Sequence, residues 1–180
     1  MPERAALLVT GTVGAGKTTT AEVVGDLLRE ATVPNAVVDL DRLSATWPAP
    51  PEDRFNLGVQ LRNLRDVSRN YLDAGVRRLV LAGVVETPED RGRHAAATGL
   101  PLTVVRLRLD PAVLRARLVV RHEGDADGLA WHLSRAEELD GVLDRCGAAD
   151  ATVDTTGLSR VEAARAVLVA AGWTEEALGG

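Results

Sequence analysis

Residues 11–18 of this 180-residue chain read Gly-Thr-Val-Gly-Ala-Gly-Lys-Thr, which matches the pattern G-x-x-x-x-G-K-[ST] in full. Its glycines allow a tight turn that brings successive backbone N–H groups towards one anion. An apolar run from Ala5 to Thr10 precedes the motif, and a helical pattern follows from about Lys17 to Glu30. The motif therefore joins a buried strand to a helix N-terminus, which is the context that phosphate binding requires.

This motif predicts a nucleotide site that takes ATP and Mg²⁺. We expect Lys17 to bridge the β- and γ-phosphates as a point charge and the Thr18 hydroxyl to ligate Mg²⁺. Lys17 is the one lysine among 21 lysines and arginines, which sets it apart from generic surface charges. The predicted nucleotide-binding residues of this segment are Gly11, Thr12, Val13, Gly14, Ala15, Gly16, Lys17, Thr18 and Thr19.

Apolar runs elsewhere in the chain predict four more strands. They lie at 36–39, 78–82, 103–109 and 151–154, with helical patterns between them. Such runs are typical of strands buried on both faces of a parallel sheet. The sequence therefore predicts an α/β fold, a doubly wound five-stranded parallel sheet in a single domain over residues 1–180.

Three local patterns refine this prediction. Arg106 and Arg108 alternate with apolar residues, so we expect one side of the fourth strand to meet solvent or an acidic neighbour. The segment 122–128 is polar and bounded by glycine, which predicts a mobile loop before a helix beginning at about Leu129. Ser159 stands three residues before Glu162, the pattern of a capping box that begins the last helix.

Composition excludes several classes of protein. Hydrophobic residues make up 46% of the chain and charged ones 26%, which excludes a disordered chain. Apolar runs fall short of the roughly 18 residues of a membrane span, so no membrane partner is expected. A net charge of −5 argues against nucleic acid as a partner. The single Cys146, without a secretory leader, predicts a reducing, cytoplasmic setting.

The kind of nucleotide-binding protein follows from what accompanies the motif. Guanine-specific switches carry N-K-x-D, which a chain with one lysine already in use cannot supply. Motor ATPases need Asp-Glu at the end of a strand, whereas the third predicted strand runs into Gly83. The small phosphotransferases remain, in which an acidic residue follows the second strand.

Asp39-Leu40-Asp41 supplies that acidic residue twice. The carboxyl ends of parallel strands face the ligand crevice, where the phosphate-binding loop also lies. We expect Asp39 to help hold Mg²⁺ and Asp41 to orient an acceptor hydroxyl and take its proton, with both near the substrate. The alternative is that one of these residues merely caps the next helix.

These residues resemble the P-loop small-molecule and nucleotide kinases, the group of shikimate, gluconate and adenylylsulfate kinases. The resemblance rests on residues 11–18 and 39–41, the arginine-bearing region 115–135, and residues 153–157. It implies a sheet order of 2-3-1-4-5 and a helical lid at about 121–135. It also implies that Thr155 lies near the adenine and that Arg135 grips substrate or phosphate.

Arginines near the predicted lid fit the same chemistry. Guanidinium groups stabilise the charge on a transferring phosphoryl group through paired hydrogen bonds. We expect Arg121 and Arg135, which flank the loop, to act as catalytic residues together with Lys17 and Asp41. Arg117 lies four residues before Arg121 on the same helix face and is expected to contact nucleotide. The alternative for each arginine is a solvated basic face.

The acceptor pocket is expected in the proline-rich connection after the second strand. Trp47, Arg54 and Phe55 lie there, and an aromatic surface with one arginine suits a polar organic substrate. Gly83 and Glu86 lie at the crevice edge, and Gly83 is counted with the substrate residues. The alternative, equally favoured, is that Trp47 and Phe55 cover the sheet edge. His94, His122 and His132 are expected at the surface, the second of them as a weak lid candidate.

The sequence thus predicts an ATP- and Mg²⁺-dependent phosphotransferase that moves the γ-phosphoryl group to a hydroxyl of a small-molecule acceptor. One alternative is a nucleoside or nucleotide kinase, which needs a base pocket around Trp47 and Phe55. Another is a non-catalytic ATP-binding module. The identity of the acceptor, the preference for ATP over GTP and the oligomeric state stay open.

Overall fold

Five parallel strands form one sheet in the computed structural model, which describes residues 3–53 and 55–174. The strand order is β2-β3-β1-β4-β5, and every neighbouring pair is parallel. This confirms the predicted α/β class and the order 2-3-1-4-5. The strands are β1 (Ala5–Gly11), β2 (Asn35–Asp39), β3 (Arg78–Ala82), β4 (Leu102–Arg108) and β5 (Ala151–Asp154).

Seven helices connect these strands in the described part of the chain. They are α1 (Lys17–Glu30), α2 (Leu40–Leu43), α3 (Leu57–Asp73), α4 (Pro88–Thr98), α5 (Pro111–Arg121), α6 (Ala126–Cys146) and α7 (Arg160–Ala170). No helix among residues 3–53 and 55–174 combines the length and the apolar character needed to cross a membrane.

The core lies on both faces of the sheet, because every residue of β1 is buried. Side chains alternate along a strand. Leu7 and Val9 accordingly pack with Leu28 and Leu168 against α1 and α7. The opposite face belongs to a second cluster, which covers the sheet with α3 and α4 and includes Ala6, Leu8, Leu64, Leu81 and Val104.

Local sequence signals explain where several helices begin. Thr87 caps α4 by accepting a hydrogen bond from Asp90 N. Ser159 and Glu162 form the predicted capping box at the start of α7. On β4, Arg106 meets acidic neighbours, since its guanidinium pairs at 2.7 Å with both Asp140 and Asp144 of α6.

The loop predicted at 122–128 is shorter than expected. α6 begins at Ala126, so four residues separate it from α5. The reason is Asp125, whose carboxylate accepts a hydrogen bond from Gly128 N and caps the helix early. The short helix α2 was not predicted, and it begins directly where β2 ends.

Candidate active site

A cleft of about 1240 Å³ opens at the carboxyl ends of the strands. It exceeds the roughly 300–1,000 Å³ of an ordinary small-molecule pocket, so a nucleotide and a second ligand fit together. The phosphate-binding loop, the β2–α2 turn, the start of α3, the segment after β3, α5, α6 and the start of α7 all contribute to its wall.

The loop between β1 and α1 has the backbone that its glycines predict. Gly14 and Gly16 have φ of 82° and 93°, in the left-handed region that favours glycine. Gly16 is also the N-cap of α1 and offers no side chain to that helix end. The first N–H groups of α1 are therefore left for an external anion.

Close contacts also fix the beginning of this loop, at Gly11 and Thr12. A Cβ on Gly11 would lie 2.8 Å from the backbone oxygen of Leu107. Thr12 is buried, and its hydroxyl donates to the carbonyl of Ala136 at 2.7 Å, which ties the loop to α6. The Thr12 side chain is thus committed to the fold, whereas Val13, Gly14, Ala15, Gly16, Lys17, Thr18 and Thr19 line the cleft.

Lys17 is a half-buried cation in the wall of the cleft. Its Nζ donates to the Thr12 carbonyl at 3.1 Å. Burial lowers the pKa of Lys17, and the nearby charges of Asp41 and Asp39 oppose this shift while Arg121 adds to it. An anion beside Nζ would replace the lost hydration, which is what the phosphates of a nucleotide provide.

Asp39 organises the turn between β2 and α2 with both carboxylate oxygens. Its Oδ2 accepts a hydrogen bond from the Thr18 hydroxyl at 2.9 Å, and its Oδ1 accepts one from Asp41 N at 2.9 Å. Asp39 therefore caps α2, as the alternative interpretation expected, and it also reaches Thr18. A hydroxyl and a carboxylate are oxygen ligands of the kind that Mg²⁺ prefers, so these residues fit that ion.

The predicted lid arginines Arg117, Arg121 and Arg135 all line the cleft. Arg135 is already partnered: its guanidinium pairs with Glu86 and, at 3.1 Å, with Glu138, and it lies 4.9 Å from the centre of the Phe55 ring. Burial by itself would lower the pKa of Arg135, but the hydrogen bonds and charges of these two carboxylates raise it.

His94 lies at the bottom of the cleft and not at the surface, where it was predicted. It is fully buried, with Nδ1 2.7 Å from the carbonyl of Asp90 and Nε2 3.0 Å from Oε1 of Gln60. The Gln60 amide donates in turn to the carbonyl of Leu40 at 3.1 Å. Burial lowers the pKa of His94 more than its contact with Asp90 raises it.

The other two histidines lie at the lid. Their rings stack with centroids 4.2 Å apart, and His132 lines the cleft while His122 is largely covered. Surface positions were expected for both, and packing between α5 and α6 accounts for the difference.

Two predicted substrate residues do not line the cleft, and a third is not described. Trp47 is 92% exposed. Gly83 packs on α2, where a Cβ would come 2.6 Å from Cδ1 of Leu40. Arg54 lies outside the described residues. Substrate contact for all three stays a prediction, whereas Phe55 of the same segment does line the cleft.

Thr155 lies in the cleft wall after β5, with its hydroxyl donating to the carbonyl of Arg108 at 3.1 Å, and its contact with adenine stays a prediction. Sequence reasoning missed Gln60 and Asp90. Gln60 did carry a signal, because it stands three residues after Leu57 and four before Leu64, on the apolar side of α3. A polar residue there needs a buried partner.

Phosphate loop, parallel sheet and the Thr18–Asp39 contact together define a P-loop nucleotide-binding domain. A family model described as an AAA domain matches residues 7–140, and the chain belongs to this family. A search of curated proteins finds no match.

Solved structures of kinases share the fold. The Mycobacterium tuberculosis APS kinase, in complex with AMPPNP and APS, is 22% identical with a TM-score of 0.64, and the match covers 96% of this chain and 99% of that one. The Sinorhizobium meliloti gluconokinase is 17% identical with a TM-score of 0.59, covering 96% and 94%. The predicted resemblance to P-loop small-molecule kinases is thus confirmed for the fold.

A resistance protein has the same fold. The Deinococcus radiodurans tunicamycin resistance protein is 18% identical to this chain with a TM-score of 0.62, and the match covers 94% of this chain and 96% of that one.

Proposed function

We propose that the protein is an ATP- and Mg²⁺-dependent kinase that transfers the γ-phosphoryl group to a hydroxyl of a small-molecule acceptor. The observation that carries this is the β2–α2 turn. It brings Asp39 onto the Thr18 hydroxyl and Asp41 into the electrostatic field of Lys17, all in one cleft. A nucleotide-binding site needs the loop alone, whereas this turn adds the carboxylates that a transfer reaction uses.

The reaction balances with residues of this chain. The acceptor hydroxyl oxygen forms a bond to the γ-phosphorus while the bond from that phosphorus to the β–γ bridging oxygen breaks, and ADP leaves. Asp41 takes the hydroxyl proton, and Lys17 stabilises charge on the phosphate oxygens. Arg121 and Arg117 on α5 line the same cleft and supply further positive charge.

Thr18 and Asp39 would hold Mg²⁺. When bound to the nucleotide, this ion neutralises phosphate charge and orients the phosphates for in-line transfer. Asp39 keeps its Oδ1 on Asp41 N, so the residue that serves the metal also fixes the backbone of the residue that serves the acceptor.

The solved structures support a small polar acceptor. Two of them are a kinase of adenylylsulfate and a kinase of gluconate, and a third is a tunicamycin resistance protein. These names suggest metabolites and antibiotics as the first compounds to test. A fold hosts many acceptors, so the acceptor must be found by experiment.

Thermal denaturation with and without ligands tests the proposal first. Mg-ATP should raise the midpoint, and an acceptor should raise it further when a non-hydrolysable ATP analogue is present. The panel comprises polar metabolites, nucleosides and antibiotics. A response to nucleosides would favour a nucleoside kinase. No response to any nucleotide would overturn the proposal.

Asp41→Asn then separates a kinase from a nucleotide-binding module. We expect it to retain nucleotide binding and to lose transfer by at least about a hundredfold, in the range of general-base catalysis. Asp73→Asn, at an exposed position at the end of α3, makes the same charge change outside the cleft and should leave both unchanged. Transfer that survives Asp41→Asn would contradict the proposed role.

A further inference from the structure

One part of the cleft, which we take as its acceptor end, has an unusual charge balance. There Arg135 of α6 faces Glu86, which follows β3, and Phe55, which precedes α3. Arg135 is well covered, with 13% of its side chain exposed, and a second carboxylate, Glu138, contacts the same guanidinium. The two carboxylates more than neutralise the guanidinium, so Arg135 provides no net positive charge for binding an anionic acceptor.

Two more carboxylates line the cleft, on residues close in sequence to Phe55 and Glu86. Asp53 caps α3, accepting from Leu57 N and Gly58 N at 2.8 Å. Asp90 accepts a hydrogen bond from the Thr87 hydroxyl at 2.9 Å and lies 3.6 Å from Arg93. Both residues line the cleft.

The cations among the described residues at this end do not restore the balance. Arg42 also lines the cleft, near the β2–α2 turn, but it is exposed and lies at a helix end. His94, at the bottom, is fully buried, and burial favours its neutral form. Among the described residues, carboxylates therefore outnumber cations at the acceptor end, and we assign Lys17, Arg117 and Arg121 to the phosphate end.

From this arrangement we infer that Glu86 determines the class of acceptor: a hydroxyl compound that bears an amine, not one that bears a carboxylate, phosphate or sulfate. The inference rests on the proposed kinase function and narrows its substrate. An ammonium group can approach the Glu86 carboxylate directly, whereas an anion must first displace Glu86 from Arg135 and then stand beside Asp90 and Asp53.

The neighbouring side chains suit such a ligand. Phe55 and Trp131 both line the cleft, and aromatic faces attract ammonium groups. Arg135, which pairs with Glu86, packs over the Phe55 ring, and this contact helps to fix the position of the ring. When an amine is bound, the Glu86 carboxylate can contact both the ammonium group and Arg135, so the ion pair with Arg135 is kept.

The test uses three probes of similar size that differ in charge: glucosamine is positive, glucose neutral and gluconate negative. Dissociation constants are measured by thermal denaturation of the whole protein with Mg²⁺ and a non-hydrolysable ATP analogue. Glucosamine should bind at least about tenfold more tightly than gluconate, with glucose between them, since tenfold corresponds to about 1.4 kcal/mol. Phosphorylation of the same probes by Mg-ATP is followed separately.

Variants assign the preference to one residue. Glu86→Gln should reduce the glucosamine-to-gluconate ratio about tenfold, because it removes a negative charge and releases Arg135. Glu137→Gln, an exposed position two residues after Arg135 and outside the cleft wall, makes the same charge change and should leave the ratio unaltered. Glu86→Asp retains the charge, should keep the preference, and covers the case that Glu86→Gln folds poorly.

The outcomes separate this inference from the proposed function. Tighter binding of gluconate, binding of none of the probes, or a ratio unchanged in Glu86→Gln would overturn the inference. Transfer to gluconate alone would overturn it and leave the kinase standing. Absence of nucleotide binding would instead overturn the proposed function and the inference with it.

Discussion

The two ends of the cleft are built differently. At the phosphate end, one continuous stretch, residues 11–19, supplies the backbone and side chains, and one turn, 39–41, completes it. At the acceptor end, Phe55, Glu86 and Arg135 come from three separate parts of the chain. The first end depends on local backbone geometry, and the second depends on how helices pack on the sheet.

This difference teaches where specificity resides. A phosphate chain looks alike in every nucleotide, so a fixed loop with N–H groups and one lysine serves it. Acceptors differ in shape and charge, and a pocket assembled from separate elements can change one wall while the sheet stays the same. Variants at the two ends should therefore affect different measurements.

The largest effect is expected from Lys17→Met at the phosphate end. Nucleotide affinity should fall about ten- to hundredfold, because a charge-assisted hydrogen bond contributes roughly 1.5–3 kcal/mol. Stability without ligand should not fall, since burial already disfavours the charged form of Lys17. Titration with Mg-ATP and urea unfolding measure the two quantities.

Phe55→Ala provides the comparison at the acceptor end. Nucleotide affinity should stay within about twofold of the unmodified protein, because Phe55 packs on Arg135, which we assign to the acceptor end. A large loss of nucleotide affinity in this variant would show that the two ends are coupled and would break the comparison.

A smaller effect is expected where the β2–α2 turn meets β3. Gly83→Ala should lower the free energy of unfolding by about 1–3 kcal/mol, because its Cβ would lie 2.6 Å from Leu40. Gly92→Ala, with nothing within 4 Å of its Cβ in α4, should raise it by up to about 1 kcal/mol. A pure substrate role for Gly83 predicts instead a changed acceptor KM at unchanged stability.

Helix capping at the phosphate end should contribute about 1 kcal/mol. Ser159→Ala removes the hydroxyl that accepts from Glu162 N at 3.2 Å, and with it the capping box of α7. Urea unfolding should show this loss, while acceptor preference stays as it was. A shift in preference would mean that α7 reaches the acceptor end.

The smallest effect is a pH dependence at the bottom of the cleft. Burial holds the pKa of His94 below its usual value of 6.5, so below that pH the unfolded chain binds more protons. Stability is therefore fully present above about pH 6.5 and is lost as pH falls through the folded pKa of His94. His94→Gln should flatten this part of the stability profile measured by urea unfolding, and an unchanged slope would contradict the assignment.

Much of the fold could be predicted because its signals are local. The five apolar runs, the loop motif and the Ser159–Glu162 pair each act within a few residues. Boundaries moved where a side chain competed for the backbone: Asp125 caps α6 early and shortens the lid loop. α2 escaped prediction because four residues carry no helical period.

The candidate site divides in the same way. Residues 13–19 and Asp41 line the cleft as the sequence predicted, with Asp39 beside them. Trp47 and Gly83 were chosen for their position in the chain, but the first points to solvent and the second packs on Leu40. His94 was expected at the surface because nothing local shows that α3 covers it with Gln60.

By itself the sequence determined the parallel sheet, the phosphate loop and the acidic turn, because the backbone geometry and strand burial behind them depend on residues within short segments. Only the tertiary structure decided that Glu86 would pair with Arg135, 49 residues away. Charge at a site is a sum over residues that packing brings together, and spacing along the chain does not reveal that sum. The P-loop motif can thus be recognised from the sequence, whereas the charge that we propose selects the acceptor is set by the fold.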